Sequence, residues 1–266
     1  MSQETEFTLS ELMIVAAAEA FRGDGEILVT GIGPLPRIAA GLAKLSFEPG
    51  LMMTDGEAYL TEEPVPLGVS RDEVPGFSGW MPYARVFSTL WRGQRHAMVT
   101  PVQVDRWAQG NISCLGDFAK PKVQMLGVRG FPGNSISHKN SMLIPAHSKR
   151  VFIEGEVDVV CSVGFSDERW PEGMRRPEVQ FGRIVTDLCV MDFNGPDHAS
   201  RVLSLHPGVS FDMVQEATGF PLLAAEGMGE TPAPTAEQLE IIRRLDPRDM
   251  RAHAVKGNPP GVRQAA

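Results

Sequence analysis

The sequence is poor in several features that would announce a function. It holds only three cysteines in 266 residues, Cys114, Cys161 and Cys189, with no CxxC pair among them. A sparse, odd set argues against a disulfide framework and against a thiolate zinc site. Cys161 and Cys189 lie in apolar runs and read as packing groups. No stretch approaches the ~18 consecutive apolar residues of a membrane span, and the opening MSQETEF has no basic segment ahead of an apolar one, as a secretory signal would. Positive charge is short too: 25 Lys and Arg face 33 Asp and Glu, a formal net charge of -8. Nucleic acid and anionic membranes both need a dense basic patch, so neither is expected as a partner, and the expected compartment is the cytoplasm. No His, Cys and carboxylate cluster has metal-ligand spacing, so no metal is expected, and there is no Gly-x-Ser-x-Gly elbow.

What is present suits a globular enzyme. A hydrophobic fraction of 42% and a charged fraction of 22% are ordinary for a folded domain. Residues 1–250 are expected to form a single domain and 251–266, with Asn258-Pro259-Pro260-Gly261, a disordered tail. Thr8 and Glu11 have capping-box spacing ahead of a helical stripe through Leu12, Met13 and Ala16. A strand at Ile27–Thr30 runs into Gly31-Ile32-Gly33-Pro34, a second helix follows from about Pro36, and Leu51–Thr54 reads as another buried strand. That order predicts an α/β fold, an open, mainly parallel sheet flanked by helices. Residues 61–80 read as a long loop, the runs 151–154, 157–161, 184–193 and 202–205 as strands, and 83–91, 211–218 and 235–245 as helices.

Three places carry candidate chemistry. Gly31 and Gly33 sit between strand and helix, where backbone amides can converge on an anion or oxyanion, or simply make a tight turn. Pro36 occupies the third glycine position of a dinucleotide fingerprint, which excludes that motif. Asp55 and Glu57 flank Gly56 at the predicted carboxyl end of a strand, equally readable as ligand-facing or as solvated turn residues. Arg129, Asn134, His138 and Asn140 cluster around a glycine-rich loop at 127–134 and could grip an acyl-CoA or a carboxylate. Histidine is the side chain that ordinarily changes charge near neutral pH, so His138 could serve as an acid or base, though lone loop histidines are commonly exposed and inert.

The segments GIGPLPRIAAGLAK (31–44), ARVFSTLWRGQRHAMVTPVQVDRWAQGNI (84–112), KRVFIEGEVDVVCSVGF (149–165), GRIVTDLCVMDF (182–193) and LHPGVSFDMVQEATGFPL (205–222) together resemble the β subunits of family I CoA-transferases, of the glutaconate type. The run GVRGFPGNSISHKNSM (127–142) is similar to a sub-branch, the β subunits of actinobacterial hydrolases that open the last steroid ring in cholesterol degradation. The resemblance implies a CoA-transferase-type fold, an α subunit as partner in an α2β2 heterotetramer, and an active site between the two chains. In the transferases a β-chain glutamate attacks the acyl-CoA. Aligned on Gly56, that position falls at Thr54; slipped by one residue it falls at Asp55, a methylene shorter, and a misplacement of about 1 Å costs on the order of 100-fold. The resemblance therefore implies hydrolytic C–C cleavage of a cyclohexenone carboxyl-CoA ester, with glutaconate-type CoA transfer as the alternative. Thr54 and Asp55 are the candidate catalytic positions here, with the main base expected on the α subunit. Gly31, Gly33, Arg129, Asn134 and His138 are the candidate substrate and CoA contacts. No cofactor is implied beyond the CoA of the thioester itself.

Overall fold

A computed structural model describes residues 6–55, 58–70, 73, 76–92, 94–125, 127, 128, 130–173 and 179–263. Helix α1 (Leu9–Ala18) begins where the capping box predicts: Thr8 Oγ1 accepts the Glu11 N–H at 3.4 Å and Glu11 Oε2 accepts the Thr8 N–H at 3.0 Å. All ten of its residues are buried, so it is a core helix and not the one-sided element its stripe predicts. Strand β1 (Leu28–Gly31) leads into helix α2 (Pro34–Ser46), which buries Leu35, Ile38 and Leu42. After β2 (Met53–Thr54), β3 (Tyr59–Thr61) and β4 (Phe77–Trp80) comes helix α3 (Tyr83–Arg92). Strand β5 (Arg95–Val99) is followed by two small antiparallel pairs, β6 (Gln103–Val104) with β7 (Gly110–Asn111) and β8 (Cys114–Leu115) with β9 (Val123–Gln124). Helix α4 (Phe131–Ser137), β10 (Lys139–Ile144), β11 (Phe181–Thr186), β12 (Cys189–Asp192), β13 (Arg201–Leu205), helix α5 (Phe211–Glu216), β14 (Leu223–Glu230) and helix α6 (Ala236–Leu245) complete the order.

The main sheet has seven strands in the order β1-β5-β10-β11-β12-β13-β14. Its β1-β5, β5-β10, β10-β11 and β13-β14 pairings are parallel and its β11-β12 and β12-β13 pairings antiparallel, so the expected open, mainly parallel α/β sheet is the one observed. Side chains alternate across it. Met98, Leu143 and Val185 face the core built with α1, α2 and α6, whereas Ala97, Val99, Met142 and Ile184 face a second core built with Phe152, Val214 and Phe220.

Several local expectations change. β2 does not join the main sheet as a buried strand; it pairs antiparallel with β3, and the preceding residue Met52 forms an isolated bridge to Leu28 of β1. Leu51 and Met53 are buried while Met52 is exposed, an alternation suited to a half-open sheet and not to a strand covered on both faces. The 61–80 loop has strands at its two ends, β3 and β4. The runs at 151–154 and 157–161 form no strands; Gly155 takes φ 85°, and the Val157 N–H donates to Asp105 Oδ2 at 3.2 Å in place of a ladder partner. The 184–193 run folds back into β11 and β12 because Thr186 Oγ1 accepts the N–H groups of Leu188 and Cys189, at 3.0 and 3.1 Å. The segment from 251, expected to be a disordered tail, is packed through residue 263. Pro259 O and Asn258 Oδ1 accept the Leu9 and Ser10 N–H groups at 2.8 and 3.1 Å, first-turn donors that no residue of α1 can satisfy. Arg251 lies between Glu11 and Asp246, at 3.1 Å from each. No helix among the described residues is long and apolar enough to cross a membrane.

Candidate active site

β1 and β5 run side by side and end together, with Gly31 opposite Met98. The Ile32 N–H donates to Met98 O at 3.0 Å, and the chain then turns through Gly33, φ 106°, into α2. A Cβ on Gly31 would lie 2.7 Å from Arg37 N and from Pro36 C, so glycine is what lets α2 start directly on the end of β1. The turn thus holds Gly31 in packing and engages the Ile32 amide in the sheet, while Gly33 is exposed at the helix entrance.

Beyond this turn the carboxyl edge of β1 and β5, the segment after β9 and helix α4 enclose a cavity of about 440 Å³. Its lining is mainly apolar, including Ile32, Val99, Val102, Ile112, Val128 and Phe131. Open α/β sheets collect ligands at this edge, and the size suits a small-molecule site. The polar side chains of the lining are Arg95, Thr100 and Asn134. Arg95 Nε donates to Thr30 Oγ1 at 2.9 Å, and burial pushes its pKa below the usual arginine value. Asn134 is 4% exposed, and its Oδ1 has no hydrogen-bond partner.

Of the predicted contacts Asn134 lines this cavity; Gly31 and Gly33 do not, and their turn reaches it through Ile32. His138 is buried at the end of α4 and does not line it; its N–H donates to Asn134 O at 3.0 Å. Asn140 clasps the same helix end, donating from Nδ2 to Asn134 O and His138 O at 2.9 and 2.8 Å. Thr54 and Asp55 lie at the end of β2, outside the lining. Thr54 pairs with Leu60, and Asp55 closes the return to β3, its N–H donating to Tyr59 O at 2.9 Å and its Oδ1 accepting the Tyr59 N–H at 3.2 Å. Arg129, Gly56 and Glu57 fall outside the described residues.

Two arrangements escaped the sequence. Arg95 is one; an arginine opening the run Arg95-His96-Ala97-Met98-Val99, otherwise a buried strand, was the available signal. The other is a Ser–His–Asp array, with His96 Nδ1 2.5 Å from Asp24 Oδ2 and His96 Nε2 2.9 Å from Ser141 Oγ. Ser141 and His96 are both fully buried, and the Arg183 N–H donates to Ser141 Oγ at 3.1 Å, so the array ties strands together and meets no substrate. Burial alone would raise the Asp24 pKa, but the His96 and Lys139 contacts outweigh it and hold the carboxylate below its usual range. Asp105 accepts N–H groups from Trp107, Gln109 and Val157, so it stabilises its own turn, and burial raises its pKa to about 6. Among the described residues no group of His, Cys, Asp and Glu could hold a metal ion.

No family model matches the chain. It is 41% identical over 251 residues to the cholesterol ring-cleaving hydrolase IpdB subunit of Mycobacterium tuberculosis, covering 94% of this chain and 99% of that one. The crystal structure of Rhodococcus jostii RHA1 IpdAB superposes with a TM-score of 0.86 at 40% identity, over 94% of this chain and 99% of that chain. A 3-oxoadipate CoA-transferase subunit of Pseudomonas knackmussii is 33% identical over 259 residues, 94% of this chain and 98% of that one.

Proposed function

This chain belongs to the family of the cholesterol ring-cleaving hydrolase IpdB subunits, and from that premise we propose that it is the β subunit of a two-subunit hydrolase opening the last ring of a steroid-derived cyclohexenone carboxyl-CoA. Near-full-length identity of 41% to those subunits, against 33% to a CoA-transferase subunit, carries the reading over glutaconate-type CoA transfer. Its partner is an α subunit of the same enzyme, in an α2β2 assembly acting in the cytoplasm, and its substrate an acyl-CoA.

The chemistry follows from the ring. A base on the α subunit takes a proton from water as the oxygen adds to the ring ketone. The adjacent C–C bond then breaks, its electron pair passing to an enolate that is protonated, and the former ketone carbon becomes a carboxylic acid that remains on the opened chain. Such a step needs no enzyme-bound thioester, which agrees with a threonine at position 54. The apolar cavity seats the ring and keeps bulk water away, so that polar groups at its wall act in a low dielectric. No cofactor is needed beyond the CoA of the substrate.

The test is turnover of the cyclohexenone carboxyl-CoA in heavy-oxygen water by the chain assembled with its α partner. A ring-opened acyl-CoA carrying the label in its new carboxylate is the expected product. CoA passing instead to an acceptor acid, with borohydride trapping a modified Asp55 or Glu57, would refute the hydrolase reading and establish the transferase.

A further inference from the structure

One wall of the cavity continues outward as a hairpin. Ile112 and Met125, which line the cavity, stand at the two feet of the β8–β9 pair, where the Met125 N–H donates to Ser113 O at 2.9 Å. Beyond the pair the chain turns back through Gly116-Asp117-Phe118-Ala119-Lys120-Pro121-Lys122. The turn is fixed from within: Gly116 takes φ 84°, the Lys120 N–H donates to Asp117 O at 3.1 Å, and the Lys122 N–H donates to Leu115 O at 2.9 Å. The two carboxylates at the hairpin are engaged in the same turn, since Asp117 Oδ1 accepts the Ala119 N–H and Asp158 Oδ2 the Gly116 N–H, each at 2.7 Å. The tip presents Phe118, 70% exposed, together with the exposed Lys120 and Lys122. Among the described residues neither lysine forms an ion pair. On a chain of formal charge -8 they are a local cationic point.

A bare aromatic face with two ammonium groups is the chemistry that holds a phosphorylated nucleotide, the ring stacking on a base and the cations meeting phosphate. In an acyl-CoA the pantetheine arm separates the acyl group from the adenosine, whose ribose carries a 3′-phosphate. An acyl group seated in the cavity therefore leaves the nucleotide outside it. At about 3.3 Å per strand residue the hairpin tip stands on the order of 10 Å beyond the Ile112–Met125 wall, on that outward path. We propose that the 116–122 hairpin is the seat of the CoA nucleotide, with Phe118 stacking on the adenine and Lys120 and Lys122 holding the ribose 3′-phosphate. The enzyme then discriminates CoA thioesters from those of dephospho-CoA. The assignment rests on the acyl-CoA reading of this chain and adds the residues that recognise the far end of that substrate.

Titration calorimetry of the assembled α/β complex with CoA and with dephospho-CoA, which lacks only the 3′-phosphate, tests it. The wild type should bind CoA roughly 5-fold more tightly, the scale of two exposed ion pairs to one phosphate, and the preference should shrink at high salt. Lys120→Gln combined with Lys122→Gln should erase the preference while dephospho-CoA binding stays as it was, and Lys120→Arg with Lys122→Arg should keep it. Phe118→Ala should weaken both ligands alike, on the order of 10-fold, in a complex that still assembles. A wild type indifferent to the 3′-phosphate, a preference that survives the double glutamine variant, or unchanged affinities in Phe118→Ala overturns the assignment. So does a Phe118→Ala chain that no longer joins its α partner, because the ring then belongs to the subunit interface. A complex that binds neither ligand defeats the acyl-CoA reading as well, whereas binding without preference defeats the hairpin alone. Binding is read without turnover, so the nucleotide seat can stand while ring opening fails.

Discussion

Protonation of His147 should set the acid limit of this fold. The imidazole stacks on Phe152 with ring centroids 4.1 Å apart, and its Nδ1 and Nε2 lie 3.1 and 2.9 Å from the hydroxyls of Thr186 and Thr218. Burial lowers its pKa from 6.5 to about 3. Asp187, whose Oδ1 accepts the His147 N–H at 2.6 Å, is the charged neighbour; burial raises its own pKa. Between pH 6.5 and 3 the unfolded chain takes up a proton that the folded imidazole does not. Its contribution is therefore whole above about pH 6.5 and falls away with acidification. From pH 7 to pH 5 the loss from this one residue comes to about 2 kcal/mol. For a chain of this size that is roughly 4–8 °C in melting midpoint. Differential scanning calorimetry of the wild type and His147→Gln at both pH values isolates the effect. The variant melts lower at pH 7, having lost packing, but its midpoint should fall less on acidification, by that margin. Equal falls in the two proteins would refute the reasoning, whatever the absolute midpoints.

Other outcomes follow from the same geometry. Asp105 works in the opposite sense: its folded pKa of about 6 lies above the unfolded value, so its contribution is complete at low pH and is lost as pH rises through 6; Asp105→Asn should remove about 1 kcal/mol of that pH-dependent gain in the same calorimetric comparison. Gly31→Ala drives a methyl into the backbone of Pro36 and Arg37, and should lower both melting midpoint and kcat of the assembled enzyme; Gly33→Ala, whose Cβ meets nothing closer than 3.8 Å, should destabilise through its φ of 106° and not through a clash. Arg251→Ala takes the ion-pair partner from buried Asp246 and leaves Glu11 with Arg243 alone, and should cost roughly 3 kcal/mol in denaturant unfolding, where Arg251→Met costs no less. Asn134→Ala should weaken acyl binding with little change in melting midpoint, since its Oδ1 gives up no protein hydrogen bond.

The parts of the fold legible in the sequence were those governed by local rules. The Thr8–Glu11 box and the strand–glycine–helix run at 28–46 each carry their signal within a few residues, and helix α6 likewise starts at a capping box between Thr235 and Gln238. β14 was missed because Leu223–Glu230 holds two glycines and is largely exposed, so neither alternation nor an apolar run marks it; its place comes from pairing with β13. The 151–161 stretch misled in the other direction, since apolar composition there serves packing of a loop pinned by Asp105. The cavity was half legible. Its glycine turn and Asn134 stand in recognisable loops, whereas Arg95 reaches it from the first residue of a strand, and only the β1–β5 register brings its side chain to Thr30.

The clasp between the two ends of the chain bears on how the protein is made. A ribosome delivers α1 long before the residues that finish its N-terminus, because the Leu9 and Ser10 donors wait for Pro259 and Asn258, and Glu11 waits for Arg243 and Arg251. Until then a wholly apolar-packed helix with an ionised glutamate on it has no finished environment. Synthesis stopped near residue 235 would leave the sheet substantially built but its central helix uncovered and open to chaperones or aggregation. The fold is thus closed by residues 236–263, and their emergence, more than that of any one strand, is the event that commits it.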